Sequence, residues 1–294
     1  MATSEIYQDP RELARLEAQN RRMRTYEAPV WEKLLSGRSG IRILDVGCND
    51  GKKTLERFSR PEIARVLGLE YHRDLAARAE KNCADSRFSF RACDVEAADF
   101  PQRLSQLMEE SKIEVFDLIH LSFILMHMRD TRRLLEALSA VLTRGGKLVL
   151  VETDDTDSFI SEDPDGLFQT FRSFLKIDPF AGNRNCGGQT FSMLKQMGFQ
   201  KVCLVQNQIT AMQDEPQKKE DLFQMFFSYL PFDMEFLLKQ EPEQEEYQRC
   251  AAWLRLHLDA LREQVLQCRQ FSIGVSIMTC EKRSEPQEET DRCE

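Results

Sequence analysis

Residues 41–51 read Ile41-Arg42-Ile43-Leu44-Asp45-Val46-Gly47-Cys48-Asn49-Asp50-Gly51, and the fold is decided by how they are read. Ile41, Ile43, Leu44 and Val46 form a short apolar run, which suits a strand buried on both faces in a parallel sheet. Gly47 and Gly51 break the run, and Lys52 to Phe58 has the pattern of a helix. Strand, glycine turn and helix is a nucleotide-binding arrangement in which small residues let a ligand approach the backbone. The spacing is not that of a dinucleotide site, since Asn49 and Lys52 stand where the second and third glycines belong. Asp45 adds a carboxylate just before the turn, where a phosphate would be repelled and a cation attracted.

The pattern repeats on both sides of this stretch. Val66 to Leu69 is a second buried strand ending at Glu70, and Arg73 to Lys81 is helical. Phe88 to Phe90 is a third strand leading to Asp94, followed by a helix over Pro101 to Glu110. Val115 to Leu121 is a fourth strand. Thr131 to Leu142 is an amphipathic helix, and Arg144-Gly145-Gly146 turns the chain into a fifth strand, Lys147 to Glu152. Such alternation predicts a doubly wound parallel sheet. An acid after the second strand, at Glu70, can accept both hydroxyls of a ribose. Asp94 after the third can take an adenine amino group.

Asp45-Val46-Gly47-Cys48-Asn49-Asp50-Gly51 resembles motif I of the class I S-adenosylmethionine-dependent methyltransferases, with Asn49 in place of the middle glycine. Asn is the residue after glycine that best tolerates a left-handed backbone. Phe116 to His120, Leu125 to Asp130 and Leu142 to Leu148 resemble the fourth-strand region and the glycine turn of small-molecule members. The resemblance covers residues 40 to 152 and, more weakly, Gly187 to Val205. It implies an α/β fold: a seven-stranded, mostly parallel Rossmann-like sheet with N-terminal helices and a helical insertion between strands six and seven. It implies S-adenosylmethionine as cofactor and S-adenosylhomocysteine as product. Asp45, Gly47, Asn49, Gly51, Glu70, Asp94, Val95 and Leu121 are its implied cofactor residues. The expected division is 1–38 as an N-terminal helical cover, 39–210 as core, 211–270 as a helical cap, 271–281 as the last strand and 282–294 as a disordered tail.

Composition narrows the function. The chain has 294 residues, 41% hydrophobic and 30% charged, with a net charge of −9. An acidic balance argues against nucleic acid as partner. No apolar run approaches the ~18 residues of a membrane span, and no basic-then-apolar leader opens the chain. Nine cysteines without a C-x-x-C pair fit reduced thiols in a cytoplasm rather than a disulfide framework. His72, His120, His127 and His257 show no metal-ligand spacing, so no metal is expected. A homodimer stays open.

A methyl transfer needs nucleophile, carbon and sulfur held in line, with a base where the nucleophile carries a proton. Candidate bases are His120, His127, Asp154 and Asp155. His127 is preferred for its pKa range, with Tyr26 in the N-terminal cover and Asp154 after strand five as further catalytic candidates. The residues after strand four, Leu121-Ser122-Phe123-Ile124, lack the N-P-P-Y type of grip on a planar exocyclic amine. A small-molecule acceptor is left as the leading class. The acids Glu152, Asp154, Asp155 and Asp157 point to an amine, with Arg184 as partner for a carboxylate. Two other readings stay open: a non-catalytic binding protein on the same core, and a nicotinamide-dependent oxidoreductase.

Overall fold

The computed structural model describes residues 10–284. Along the chain run α1 (Pro10–Leu35), β1 (Ile41–Val46), α2 (Lys52–Phe58), β2 (Ile63–Glu70), α3 (Arg73–Asn82), β3 (Phe88–Ala92), α4 (Phe100–Glu110) and β4 (Phe116–Ser122). A single turn of 3-10 helix, Leu125–His127, leads to α5 (Thr131–Val141) and β5 (Leu142–Thr153). Then come β6 (Phe159–Ile160), α6 (Leu167–Phe174), α7 (Gly187–Gln196), β7 (Gln200–Met212), α8 (Pro216–Phe227), α9 (Tyr229–Gln240), α10 (Glu245–Gln267) and β8 (Gln270–Glu281).

The strands hydrogen-bond in the order β3-β2-β1-β4-β5-β8-β6, with β7 also pairing β8. β1 pairs in parallel with β2 and β4, β2 with β3, and β4 with β5. This is the doubly wound α/β sheet that the alternation predicts. Among the described residues the sheet has eight strands rather than the seven expected. The additional one is β6, whose two residues pair antiparallel with Phe271 and Ser272. So short a segment leaves no periodic trace in the sequence.

Two compact units divide the chain. The first holds Gly37–Val151, Gly187–Val205 and Ile277–Glu294. In it Ile43, Leu44, Leu67, Leu118, Ile119, Leu121 and Leu148 are wholly buried. Burial of consecutive residues in β1 and β4 means that both sheet faces are covered, the reason these strands read as continuous apolar runs. The Asp130 side chain caps α5 by accepting the Arg133 N–H at 3.0 Å.

The second unit holds Met1–Ser36, Glu152–Cys186 and Gln206–Ser276. Its core is aromatic. Phe168, Phe171, Phe223, Phe226, Phe227 and Phe271 are buried, and the Phe171–Phe227 ring centroids are 4.6 Å apart. These rings are packing residues. Lys219 is fully buried, its ammonium donating to the carbonyls of Leu266 and Cys268 at the end of α10. A cation there meets the unpaired carbonyls of the helix terminus.

Two local expectations are corrected. In the expected N-terminal cover of helices, Pro29 would be expected to end a helix, but a single helix, α1, runs unbroken through it. Met23, Glu27, Trp31, Leu34 and Leu35 are buried along one stripe that continues past the proline, and that packing outweighs the loss of one backbone bond. The predicted glycine turn before strand five instead lies within β5. The pairing with β4 jumps from Phe116–Leu142 to Leu118–Lys147, and Gly145 takes φ 70° in the resulting bulge. The backbone of Lys282 bonds to Gly145 and Gly146 on the other side, at 3.0 and 2.8 Å. Of the expected tail 282–294, residues 285–294 lie outside the described residues, as do residues 1–9 of the expected cover.

Candidate active site

The loop after β1 is built on three left-handed residues: Gly47 at φ 77°, Asn49 at 52° and Gly51 at 78°. Asn49 therefore adopts the backbone that the motif's middle glycine would supply. Its own side chain helps, since Oδ1 accepts the Asp50 N–H at 2.6 Å. The loop is tied down by the Gly47 and Cys48 N–H groups, both donating to Leu69 O at 2.8 and 3.0 Å. A Cβ on Gly51 would lie 2.9 Å from Ala79 Cβ and 3.0 Å from the Phe90 ring. A Cβ on Gly47 would lie 2.1 Å from Ile124 Cδ1. Gly51 is thus required for conformation and for space, while at Gly47 the left-handed backbone adds to a clash with the tip of the Ile124 side chain.

Beneath the loop Asp45 is 3% exposed. It sits opposite His120 in the β1–β4 register, and its Oδ1 is 2.6 Å from His120 Nδ1. Thr54, in α2, donates its hydroxyl to Asp45 Oδ2 at 2.5 Å. Burial would raise the Asp45 pKa, but the His120 ring and the Thr54 hydroxyl outweigh it and hold the carboxyl below its ordinary value. His120 is buried in the strand and engaged by Asp45, which removes it from the list of bases open to a substrate.

Glu70 closes β2 and faces the same loop. Its Oε2 accepts the Asn49 N–H at 2.9 Å and its Oε1 accepts the His72 N–H at 3.0 Å. Burial pushes its pKa up against these bonds. Hydrogen bonds from the His72, Asn49 and Tyr71 backbones oppose that rise. After β3, Asp94 is exposed and Val95 half-buried, and Asp94 Oδ1 accepts the Glu96 N–H at 2.9 Å. Leu121 is buried in β4, paired with Val46 and Leu150. All eight candidates thus fall at or just past the carboxyl ends of β3, β2, β1 and β4, in the order of the sheet. At about 4.8 Å per strand they cover roughly 14 Å, the reach of a nucleoside with a substituent. That edge is where open α/β sheets bind ligands.

The three catalytic candidates are not gathered in the same way. His127 ends the 3-10 turn after β4, exposed, with its N–H donating to Ile124 O at 3.0 Å. Tyr26 and Asp154 belong to the other unit. The Tyr26 hydroxyl donates to Gln208 O at 3.3 Å, and burial raises its pKa. Asp154 is buried, accepting from the Thr156 N–H and hydroxyl and from Gln206 Nε2 at 2.9 Å. Asp155 is bidentate with Arg184 at 2.6 and 3.0 Å. Arg184 therefore already holds a carboxylate from its own chain. Among the described residues no group of His, Cys, Asp and Glu is arranged to hold a metal, and no helix is long and apolar enough to cross a membrane.

Residues 44–148 match a family model described as a methyltransferase domain. The fold is that of the class I methyltransferases. The YcgJ protein of Bacillus subtilis superposes with a TM-score of 0.53 at 17% identity, over 88% of this chain and 99% of that one. The phosphoethanolamine N-methyltransferase 2 of Haemonchus contortus, solved with phosphomonomethylethanolamine and S-adenosylhomocysteine, gives 0.52 at 15% identity, over 88% of this chain and 53% of that one. No curated protein sequence matches the chain. The matched span, residues 44–148, contains every one of the eight cofactor candidates. Sequence reasoning missed Thr54 and Ile124. The role of His120 was readable only by aligning the strands, which places it beside Asp45.

Proposed function

We propose that this protein is an S-adenosylmethionine-dependent methyltransferase acting on a small molecule. The observation that carries the reading is the left-handed series Gly47–Asn49–Gly51 folded over Glu70, whose carboxylate is bonded to the middle residue of the loop. The residues fit the cofactor. Glu70 ends β2 where a carboxylate can meet the ribose hydroxyls, and Asp94 and Val95 stand one strand further along for the adenine. On the other side of the loop, the end of β4 at Leu121 offers backbone groups to the amino-acid portion.

Asp45 acts through the loop. Its oxygens are occupied by His120 and Thr54, so it fixes the strand ends and leaves a negative charge beneath the turn. That charge favours a sulfonium and ammonium ligand over a pyrophosphate. The cofactor supplies a methyl group activated by the positive sulfur, and the chain's part is alignment. His127, exposed just past β4, is the side chain here that could receive a proton from the acceptor.

Calorimetric titration with S-adenosylmethionine, S-adenosylhomocysteine and NAD tests the reading. Binding of the first two and not the third is expected, with release of S-adenosylhomocysteine when a library of small acceptors is added. Preference for NAD would overturn it.

A further inference from the structure

Arg129 stands two residues past His127, and its backbone N–H donates to Glu96 Oε1 at 2.7 Å. Glu96 belongs to the loop after β3, just beyond Asp94 and Val95. The two loops therefore follow different strands, β3 and β4, with β2 and β1 between them in the sheet. Both belong to the same compact unit. The second Glu96 oxygen accepts from Arg129 Nε at 3.2 Å. The two contacts differ in weight. The Arg129 side chain is 79% exposed, where an ion pair contributes little, whereas the Glu96 side chain is 19% exposed. The bond to the N–H is charge-assisted and fixes the backbone itself.

The loop that carries Glu96 is organised from Asp94. Asp94 Oδ1 accepts the Glu96 N–H at 2.9 Å, and the Ala97 N–H donates to Asp94 O at 3.3 Å. Ala97 O accepts from the Arg133 guanidinium at 2.7 Å, which joins the loop to the first turn of α5. Between β4 and α5, three consecutive amides around His127 are engaged. The His127 N–H donates to Ile124 O at 3.0 Å, the Met128 N–H to Leu125 O at 3.1 Å, and the Arg129 N–H to Glu96. The first two bonds close the turn on itself, and burial of Leu125 and Met126 packs it down. The third ties it to the loop after β3.

We propose that Glu96 is a positioning residue for the methyl transfer: it ties the turn bearing His127 to the loop that receives the adenine, so that adenine bound at Asp94 steadies the base. The roles of Asp94 and His127 rest on the methyltransferase reading; the tie between their loops does not. An adenine amino group donating to Asp94 fixes the side chain that holds the Glu96 N–H, and Glu96 passes the restraint to Arg129. Order gained in one loop lowers the entropy still to be lost in the other, which couples the two without a change of shape. Gln at position 96 keeps an acceptor oxygen for the Arg129 N–H, and Ala keeps none. Arg129→Ala removes only the exposed ion pair. The backbone bond thus separates these variants in a way that the ion pair does not.

Hydrogen exchange of the His127, Met128 and Arg129 amides is followed by NMR in the full chain, alone and with saturating adenosine or S-adenosylhomocysteine. Each ligand is expected to slow these amides at least about fivefold, together with the Ala97 amide of the β3 loop. Adenosine is the deciding probe, because it lacks the amino-acid portion that could reach the end of β4 directly. Glu96→Ala should keep the slowing at Ala97 and abolish it at His127 and Met128. Glu96→Gln should restore most of it, and Arg129→Ala should leave it in place. Without ligand, the Arg129 amide should exchange at least about tenfold faster in Glu96→Ala. Slowing at Ala97 but not at His127 to Arg129 in the unaltered chain, or an equal response in Glu96→Ala, overturns the proposal and leaves the methyltransferase reading intact. Failure of both ligands to slow any amide overturns that reading, and the role of Glu96 with it.

Discussion

Asp45 and His120 lie side by side on neighbouring parallel strands, joined by a 2.6 Å contact between Oδ1 and Nδ1. The aspartate that the sequence motif offers to a ligand is thus the anchor of a buried pair. Its oxygens are held within the sheet by His120 and Thr54, and the loop above it inherits a fixed position.

Removing the histidine should leave that carboxylate buried and half satisfied. His120→Leu is expected to cost about 3–5 kcal/mol, the range for breaking a buried pair from one side. Asp45→Asn combined with His120→Leu should cost less than His120→Leu alone, because the orphaned charge is gone. Urea denaturation with an unchanged m-value checks both. A loss below 1 kcal/mol in the single variant would mean that Thr54 suffices.

Glu70 is placed to accept ribose hydroxyls while holding the loop through Asn49. Charge-assisted bonds of this kind contribute about 1.5–3 kcal/mol each. Glu70→Ala should therefore weaken S-adenosylmethionine at least about tenfold, with the circular dichroism spectrum unchanged. Unaltered affinity by calorimetry would move the ribose elsewhere.

Asn49 tests how far the motif tolerates its own departure. Asn49→Gly keeps the left-handed backbone and should change cofactor affinity by less than about threefold. Asn49→Ala loses both the bond to the Asp50 N–H and the residue's tolerance of positive φ, at about 1–2 kcal/mol. The two variants should separate in thermal stability and in cofactor binding. Coincident curves would show that the loop conformation is not set at this position.

The sheet was readable in the sequence because its strands are buried on both faces. Ile43, Leu44, Leu118 and Leu148 appear in unbroken apolar runs, and the glycines and acids fall where those runs stop. Side-chain pairing across strands was not readable, since Asp45 and His120 are far apart in the chain and meet only through register. Helix α1 shows the converse. Pro29 is the strongest local signal in that segment, yet tertiary burial of Trp31, Leu34 and Leu35 overrides it. The acids at the end of β5 and after it are legible because they fall close together in the sequence. Asp178, in the turn after α6, and Asp233, in α9, are isolated in sequence, and only the fold buries them.

That pair gives stability a pH dependence of known sign. Both folded pKa values lie above the unfolded value of about 3.9. Above that pH the folded chain binds more protons than the unfolded one, so stability is complete below about pH 4 and falls as pH rises through the folded values. The slope is at most about 1.4 kcal/mol per pH unit for each proton. Urea midpoints should decline from pH 5 upward, and Asp233→Asn should flatten the decline. An equally steep decline in the variant would assign it to other groups.

Gly47 and Ile124 offer a test of whether the loop and the segment after β4 are one structure. A methyl at Gly47 would lie 2.1 Å from Ile124 Cδ1, well inside any tolerable contact, and the backbone there is left-handed. Gly47→Ala therefore carries two penalties. The conformational one, about 1–2 kcal/mol, cannot be relieved by a neighbour. The steric one can, because the offending atom is the end of a side chain. Ile124→Ala removes that atom and should recover the steric part alone. In a double-mutant cycle the two substitutions should therefore couple favourably, with a residual loss equal to the backbone cost. The cycle is read twice, by urea denaturation and by S-adenosylhomocysteine affinity. Additive effects in both would mean that Ile124 moves aside freely and that the glycine is required for its conformation only.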